Sequence, residues 1–236
     1  MELNVRFVIE TFFLAVKTGI PITLLITAVT LVVSVPLGFF IAVMRKNDKH
    51  RVLNLIFSVY ISFVRGTPII VQILIIYNLF PDLLALIVSA LRIPFNIHDI
   101  PNIFYVCIVF AFSTTAYMSE TLRAGLNAVG RGQYEAAMAA GLSTFNAYRR
   151  IIAPQAVSAA LPVLCTSVTT LVKMTSLSFA MAVSEITGVT RIAASRNLHF
   201  VEAFLVIAGV YVVICMAIEF CFKFAERRVS AHKVSI

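Results

Sequence analysis

An all-α membrane protein of about five transmembrane helices is the fold class this sequence predicts, on three observations. Hydrophobic residues make up 60% of the 236 and charged residues only 13%, whereas roughly a quarter of the residues in soluble domains are charged. The mean hydropathy of +0.96 is spread over several long apolar runs that reach the ~20 residues needed to cross a bilayer. Lysine and arginine collect in short intervals between those runs, the pattern that orients membrane helices. The net charge of +8 is therefore read as topological. No basic–aromatic patch argues for nucleic acid.

Each element can be justified in order. Residues 1–19 mix Glu2, Arg6, Glu10 and Lys17 with Phe7, Ile9, Phe12, Phe13 and Val16. This is either an amphipathic helix on the membrane surface or a polar-faced extension of the first span. Ile20–Met44 is 25 residues without a charge, entered through Pro21 at a helix start. It is too long for a cleaved signal peptide and is expected to remain as a span. Arg45, Lys46, Lys49 and Arg51 follow, which puts that loop in the cytoplasm and the N-terminus outside.

Val52–Phe80 is interrupted by Arg65-Gly66-Thr67-Pro68, and the pieces 52–64 and 69–80 are each short for a bilayer, so one broken span or two half-helices are expected. Residues 81–101, between Pro81 and Pro101, read as an external connection holding a short apolar helix. Ile103–Arg123 descends again to a polar interlude in which Arg131, Arg149 and Arg150 mark the cytoplasmic side. Gln155–Val172 goes outward. Lys173–Asn197, with Lys173, Glu185, Arg191 and Arg196, fits a re-entrant or broken segment. Ala203–Phe222 is the last span, and Lys223, Arg227, Arg228 and Lys233 place the C-terminus inside.

The polar interlude carries the most specific motif. It reads Glu135-Ala136-Ala137, three residues, Gly141, nine residues, then Ile151-Ile152-Ala153-Pro154. Alanines permit close approach, and Met138, Leu142 and Phe145 recur at helical spacing as anchors for a groove in a partner. The pattern resembles the EAA loop of ATP-binding-cassette (ABC) importer permeases, with Ala153 where the family has leucine. Further pieces resemble the polar amino-acid subgroup, which includes histidine, glutamine and cystine permeases. They are Arg65-Gly66-Thr67-Pro68 with Gln72, Ala116-Tyr117 with Glu120 and Arg123, Gly132-Gln133, Pro154-Gln155-Ala156, Lys173-Met174-Thr175-Ser176-Leu177 and Glu185.

The resemblance implies a type I ABC importer permease, with residues 1–236 as a single transmembrane domain, 20–225 as its core bundle and 131–150 as a cytoplasmic coupling loop in which 135–150 form one short helix. Implied partners are an ABC ATPase dimer, a second permease chain (a copy or a relative) and an extracytoplasmic amino-acid-binding protein. The implied docking residues are Glu135, Ala136, Ala137, Met138, Ala140, Gly141, Leu142 and Phe145. ATP and magnesium would belong to the partner ATPase, since no Walker A sequence occurs here. Residues after Lys173 resemble cystine-type members, so L-cystine is the substrate the resemblance leans toward; glutamine, glutamate and basic amino acids stay open.

Arg65 is the leading substrate-contact candidate, because a charge inside a span costs about 2.5–3.5 kcal/mol and is seldom idle. Thr67 suits an N-cap and Pro68 a first helical position, so a half-helix starting there would aim free amides at a substrate carboxylate. The alternative is that Arg65 pairs with an internal carboxylate such as Glu120. Glu120 itself either bridges Arg123 one turn away or meets a substrate ammonium. Gly66 and Gln72 complete that group, Gln72 either offering an amide to substrate or joining helices. Lys173, Thr175 and Ser176 repeat the charge-then-hydroxyl pattern, although Lys173 would also suit snorkelling to the interface. Glu185 is a candidate counter-charge or gate.

Cys107, Cys165, Cys215 and Cys221 have no CxxC spacing, and the four histidines are scattered, so no catalytic, cofactor or metal site is expected. The competing classes are an ion-coupled secondary carrier, which would be expected to show duplicated halves or relay acids, and a non-transport membrane assembly protein.

Overall fold

A computed structural model of the chain describes residues 3–46, 51–92, 94 and 96–231. Lys49 and Lys233, used above for topology, lie outside the described residues. The described residues are all-helical, and five helical stretches are long and apolar enough to cross a membrane.

Helix α1 (Val5–Leu14) passes through a π-helical turn (Ala15–Gly19) into α2 (Ile20–Lys46), so Val5–Lys46 is one continuous rod of 42 residues. The polar-faced extension is thus the form residues 5–19 take. Gly19 ends that turn against α9, where a Cβ would stand 2.6 Å from the Ile186 backbone. Helix α3 (Arg51–Gly66) is 16 residues long and buries Ile61 and Val64. Helix α4 (Ile69–Ala90) runs 22 residues straight through Pro81. This corrects the expected ending at residue 80: the short apolar helix anticipated after Pro81 is the outer part of α4, which is long enough to span alone. Apolar residues on both sides of Pro81 continue the lipid-compatible surface, and a proline is tolerated in such a helix.

Helix α5 (Asn102–Ala128) is the central post. Two short helices, α6 (Arg131–Ala139) and α7 (Thr144–Ala147), lead through a π turn (Tyr148–Ile152) into α8 (Ala153–Met174). The expectation of one helix across 135–150 is corrected here, since Gly141 breaks it. A 3-10 stretch (Thr175–Met181), a left-handed residue at Ala182 and a short α9 (Ile186–Asn197) make up the anticipated broken segment before α10 (Phe200–Ala231).

Small residues let the central helices approach closely. Along one face of α2, Thr23, Thr27, Thr30, Ser34, Gly38 and Ala42 are buried. Gly38 touches Met118 and Ser119 of α5 so closely that a Cβ would stand 2.8 Å from the Met118 Cβ. On the other side of α5, a Cβ on Gly125 would meet the Ala156 carbonyl at 2.8 Å and the Ala160 Cβ at 2.9 Å. Lipid tails are as apolar as leucine, so helices gain more from such close van der Waals packing than from hydrophobicity itself. Helices α2 and α5 run parallel, and both end at the basic end of the bundle, where Lys46 Nζ donates to the Leu126 carbonyl at 3.1 Å.

The close approach at Gly125 makes a direct prediction. Gly125→Val overpacks the α5–α8 seam and is expected to destabilise the protein by about 1–3 kcal/mol, read as a lowered thermal midpoint in detergent. Gly132→Ala, at a glycine with open space around it, should leave that midpoint in place.

Candidate functional site

Three sets of residues stand out: two helix breaks, a charge cluster, and the loop at the basic end. The first break joins α3 to α4. Pro68 is the N-cap of α4 and no side chain caps it. Thr67, expected to cap, instead donates its hydroxyl to the Phe63 carbonyl at 2.8 Å. Gln72 stitches the break: its amide nitrogen donates to the Val64 carbonyl (2.9 Å), the Thr67 carbonyl (3.1 Å) and the Thr67 hydroxyl (2.9 Å). Gln72 is 2% exposed, so the helix-joining reading describes its place here. Arg65, Gly66 and Pro68 remain exposed.

The second break is closed by Glu185, which has no exposed surface. Its Oε1 accepts from the Gly188 amide at 3.0 Å, capping α9, and its Oε2 accepts from the Tyr211 hydroxyl at 2.7 Å and faces Thr23 at 3.5 Å. Thr175, also fully buried, donates to the Val172 carbonyl at 2.7 Å and lies 3.3 Å from the Tyr211 hydroxyl. Both side chains are held inside the protein in this conformation, away from any open path. Lys173 is exposed and Ser176 half-buried. Ile69 and Ile73 beyond the first break share a core cluster with Met174, Leu177 and Met181 of the second, so the two breaks are neighbours.

Glu120 gathers the charges. Arg45 of α2 donates to its Oε1 and Arg123 to its Oε2 at 2.7 Å, while Arg65 of α3 stands 4.0 Å from Oε2. Both pairings that the sequence suggested for Glu120, with Arg65 and with Arg123, occur together. Arg45 was read only as a topological charge. The signal that identifies its second role is its position at the end of a span, facing a carboxylate two turns inside another. Tyr211 and Thr23 were missed because an isolated hydroxyl in an apolar run carries no pattern.

The loop is built around Gly141. The Leu142 amide donates to the Ala137 carbonyl and the Gly141 amide to the Met138 carbonyl, at 3.1 and 3.0 Å, with Gly141 at φ +78°. This is a Schellman ending for α6, and it needs a residue that accepts the left-handed region. Ser143 then caps α7 through the Asn146 amide. Among the residues read as docking groups, Glu135, Ala136, Met138, Ala140, Gly141 and Phe145 are exposed, with Phe145 at 70%, and Leu142 is half-buried. Ala137 is buried instead. The loop is seated by a cluster of Ala42, Leu122, Leu126, Ile152 and Ala156, flanked by Tyr134 and Tyr148.

A bundle with two stitched breaks and an exposed helix–turn–helix at its basic end is the architecture of an importer permease, and comparison with known proteins agrees. A model of the family described as "Binding-protein-dependent transport system inner membrane component" matches residues 34–231. The chain belongs to that family of ABC importer permeases and is a protein of the inner membrane. It is 33% identical to the L-cystine transport system permease protein TcyL of Bacillus subtilis, over 92% of this chain and 88% of that protein. It is 32% identical to the nopaline transport system permease protein NocM of Agrobacterium fabrum, over 98% and 93%. The crystal structure of an amino acid ABC transporter with histidines superposes with a TM-score of 0.79 at 28% identity, over 97% of this chain and all of that one. The MetNI methionine ABC transporter, at 16% identity and a TM-score of 0.66 over 91% and 96%, shares the fold.

Two substitutions test this geometry. Gly141→Ala forces a Cβ into the left-handed region, at a cost of about 1–2 kcal/mol, and hydrogen exchange should quicken at the Gly141 and Leu142 amides while the helical circular dichroism is unchanged. Tyr211→Phe removes a buried donor from Glu185 and is expected to cost about 1–3 kcal/mol, read as a lower thermal midpoint.

Proposed function

We propose that this chain forms the path by which an amino acid, released from an extracytoplasmic binding protein, crosses the membrane, driven by a partner ATPase dimer that docks on residues 131–147. The observation that carries this reading is the exposed helix–turn–helix at the basic end, presenting Met138 and Phe145 to a partner while Tyr134, Tyr148 and the Ile152 cluster hold it to the bundle. A rigid knob seated on α2, α5 and α8 transmits displacement to those helices, because packed cores shift between discrete arrangements and do not deform continuously. ATP and magnesium are bound by the ATPase, and a second permease chain, a copy or a relative, faces the exposed apolar surfaces of this one. The lysines and arginines at the loop end support a cytoplasmic placement for the loop and C-terminus and an external N-terminus.

The substrate contacts proposed are those left open between the two breaks: Arg65, Gly66 and Thr67 at the first, Lys173 and Ser176 at the second. Gln72, Thr175 and Glu185 hold those breaks in shape, so they act by positioning. Arg65 meets the substrate carboxylate, assisted by the uncapped first turn of α4, whose amides carry partial positive charge. An α-carboxylate is common to every amino acid, and the likeness to the L-cystine permease inclines the choice toward cystine.

In proteoliposomes holding this chain, its cognate ATPase and its binding protein, ATP hydrolysis should rise with one or a few amino acids, L-cystine foremost. An ATPase indifferent to the whole panel overturns the reading. Phe145→Asp should keep the permease folded but lose both ATPase co-purification and uptake; normal uptake would remove the docking assignment.

A further inference from the structure

The charge cluster around Glu120 is unbalanced. Three guanidinium groups, from Arg45, Arg65 and Arg123, converge on one carboxylate about two turns inside the basic end of the bundle, leaving two positive charges in excess around it. The three are held unequally. Arg45 and Arg123 make direct hydrogen bonds, with side chains 19% and 36% exposed, whereas Arg65 stands at 4.0 Å, shares Oε2 with Arg123 and is 54% exposed. Arg65 is therefore the loosest and most accessible member. It ends α3 beside Gly66, where an added Cβ would also meet nothing within 4 Å.

We propose that Arg65 exchanges carboxylates: it rests against Glu120 when the site is empty and leaves it for the α-carboxylate of the transported amino acid. Glu120 is then an internal stand-in for the substrate. This rests on the reading of the chain as an amino-acid permease and adds a way for it to sense its load. A second carboxylate offsets part of the excess charge, so the exchange lowers the electrostatic cost of the cluster. It also has a mechanical consequence. Glu120 ties α3 to α2 and α5 through Arg65, and α2 and α5 end against the loop, at the Lys46–Leu126 bond and the Ala42–Leu122–Ile152 cluster. Withdrawing Arg65 releases the polar tie between α3 and the pair that carries the loop, leaving the Ile61–Val64 packing and the Tyr60–Phe112 bond as the pivot, which links arrival of substrate to the ATPase.

The test uses the reconstituted complex with its ATPase and binding protein, and the amino acid that stimulates the wild type most. Glu120→Gln removes the competitor, so substrate-free ATPase should rise toward the stimulated rate and the stimulation ratio should fall by about fivefold or more. Arg65→Gln should abolish stimulation, and the double variant should behave as Arg65→Gln alone, since the two act as one pair. Should Glu120→Gln fail to assemble, spin labels at the exposed Phe63 and Tyr117 report the α3–α5 separation in the otherwise native protein. Substrate should shift that distance, and Arg65→Gln should suppress the shift. An unchanged stimulation ratio in Glu120→Gln, or an unmoved distance, overturns the exchange. The same measurements in vesicles with and without anionic lipid separate a substrate carboxylate from a lipid phosphate: a response that follows the lipid and not the amino acid also overturns it. Absence of amino-acid stimulation in the wild type would instead defeat the amino-acid reading itself.

Discussion

Inside a bilayer no water is at hand to pair an exposed amide or carbonyl, so every interruption of a helix must find its partners within the protein. Among the described residues, the two breaks at Arg65–Pro68 and Thr175–Glu185 each depend on one buried polar side chain. Gln72 donates back to the carbonyls of Val64 and Thr67, which lost their helical partners when α3 ended. Glu185 accepts from the Gly188 amide at the start of α9 and is anchored in turn by Tyr211. Without these stitches the breaks would close into continuous helix or leave unpaired groups in hydrocarbon. With them, Arg65, Gly66 and Lys173 can stay exposed among spans. The groups that make the site possible are thus distinct from those free to touch a ligand.

The breaks also need a frame that does not yield, and the α2–α5–α8 core supplies it. Its helices meet through glycine, serine, threonine and alanine, with backbone approaching backbone closely enough that Cβ atoms at Gly38 or Gly125 would collide. The same seam delivers the ends of α2 and α5 to the loop. Gly141 serves a different purpose from these glycines: the space around it is empty, and it is required for its left-handed backbone. One glycine thus shapes the knob while others tighten the shaft on which it sits.

Much of this could be read from the residues. Uncharged runs gave the spans, because a bilayer demands length and apolarity and little else. The spacing from Glu135 to Pro154 marked the loop, and the interruptions at Arg65–Pro68 and after Lys173 marked both breaks. Less legible was where helices stop once proline and glycine compete with membrane length. Residues 81–90 continue α4, and residues 5–19 join α2, because an apolar surface in lipid favours continued helix over the local turn signal. Residues 135–150 were misread in the opposite direction, as one helix, although Gly141 already held the reason they are two.

Composition, charge and spacing by themselves determined the membrane class, the family resemblance, the number of spans and the location of the loop, since each is a property of consecutive residues. Tertiary structure decided which polar groups are spent and which are free. Gln72, Thr175 and Glu185 share a sequence setting with Arg65 and Lys173, yet they lie buried and are hydrogen-bonded, Gln72 through its amide nitrogen, while Arg65 and Lys173 remain exposed. The same holds for Glu120, whose arginine partners Arg45, Arg65 and Arg123 stand 75, 55 and 3 residues away along the chain. Hydrogen bonds and ion pairs act over a few ångströms in space, so only the packing of α2, α3 and α5 could bring those charges to a single carboxylate.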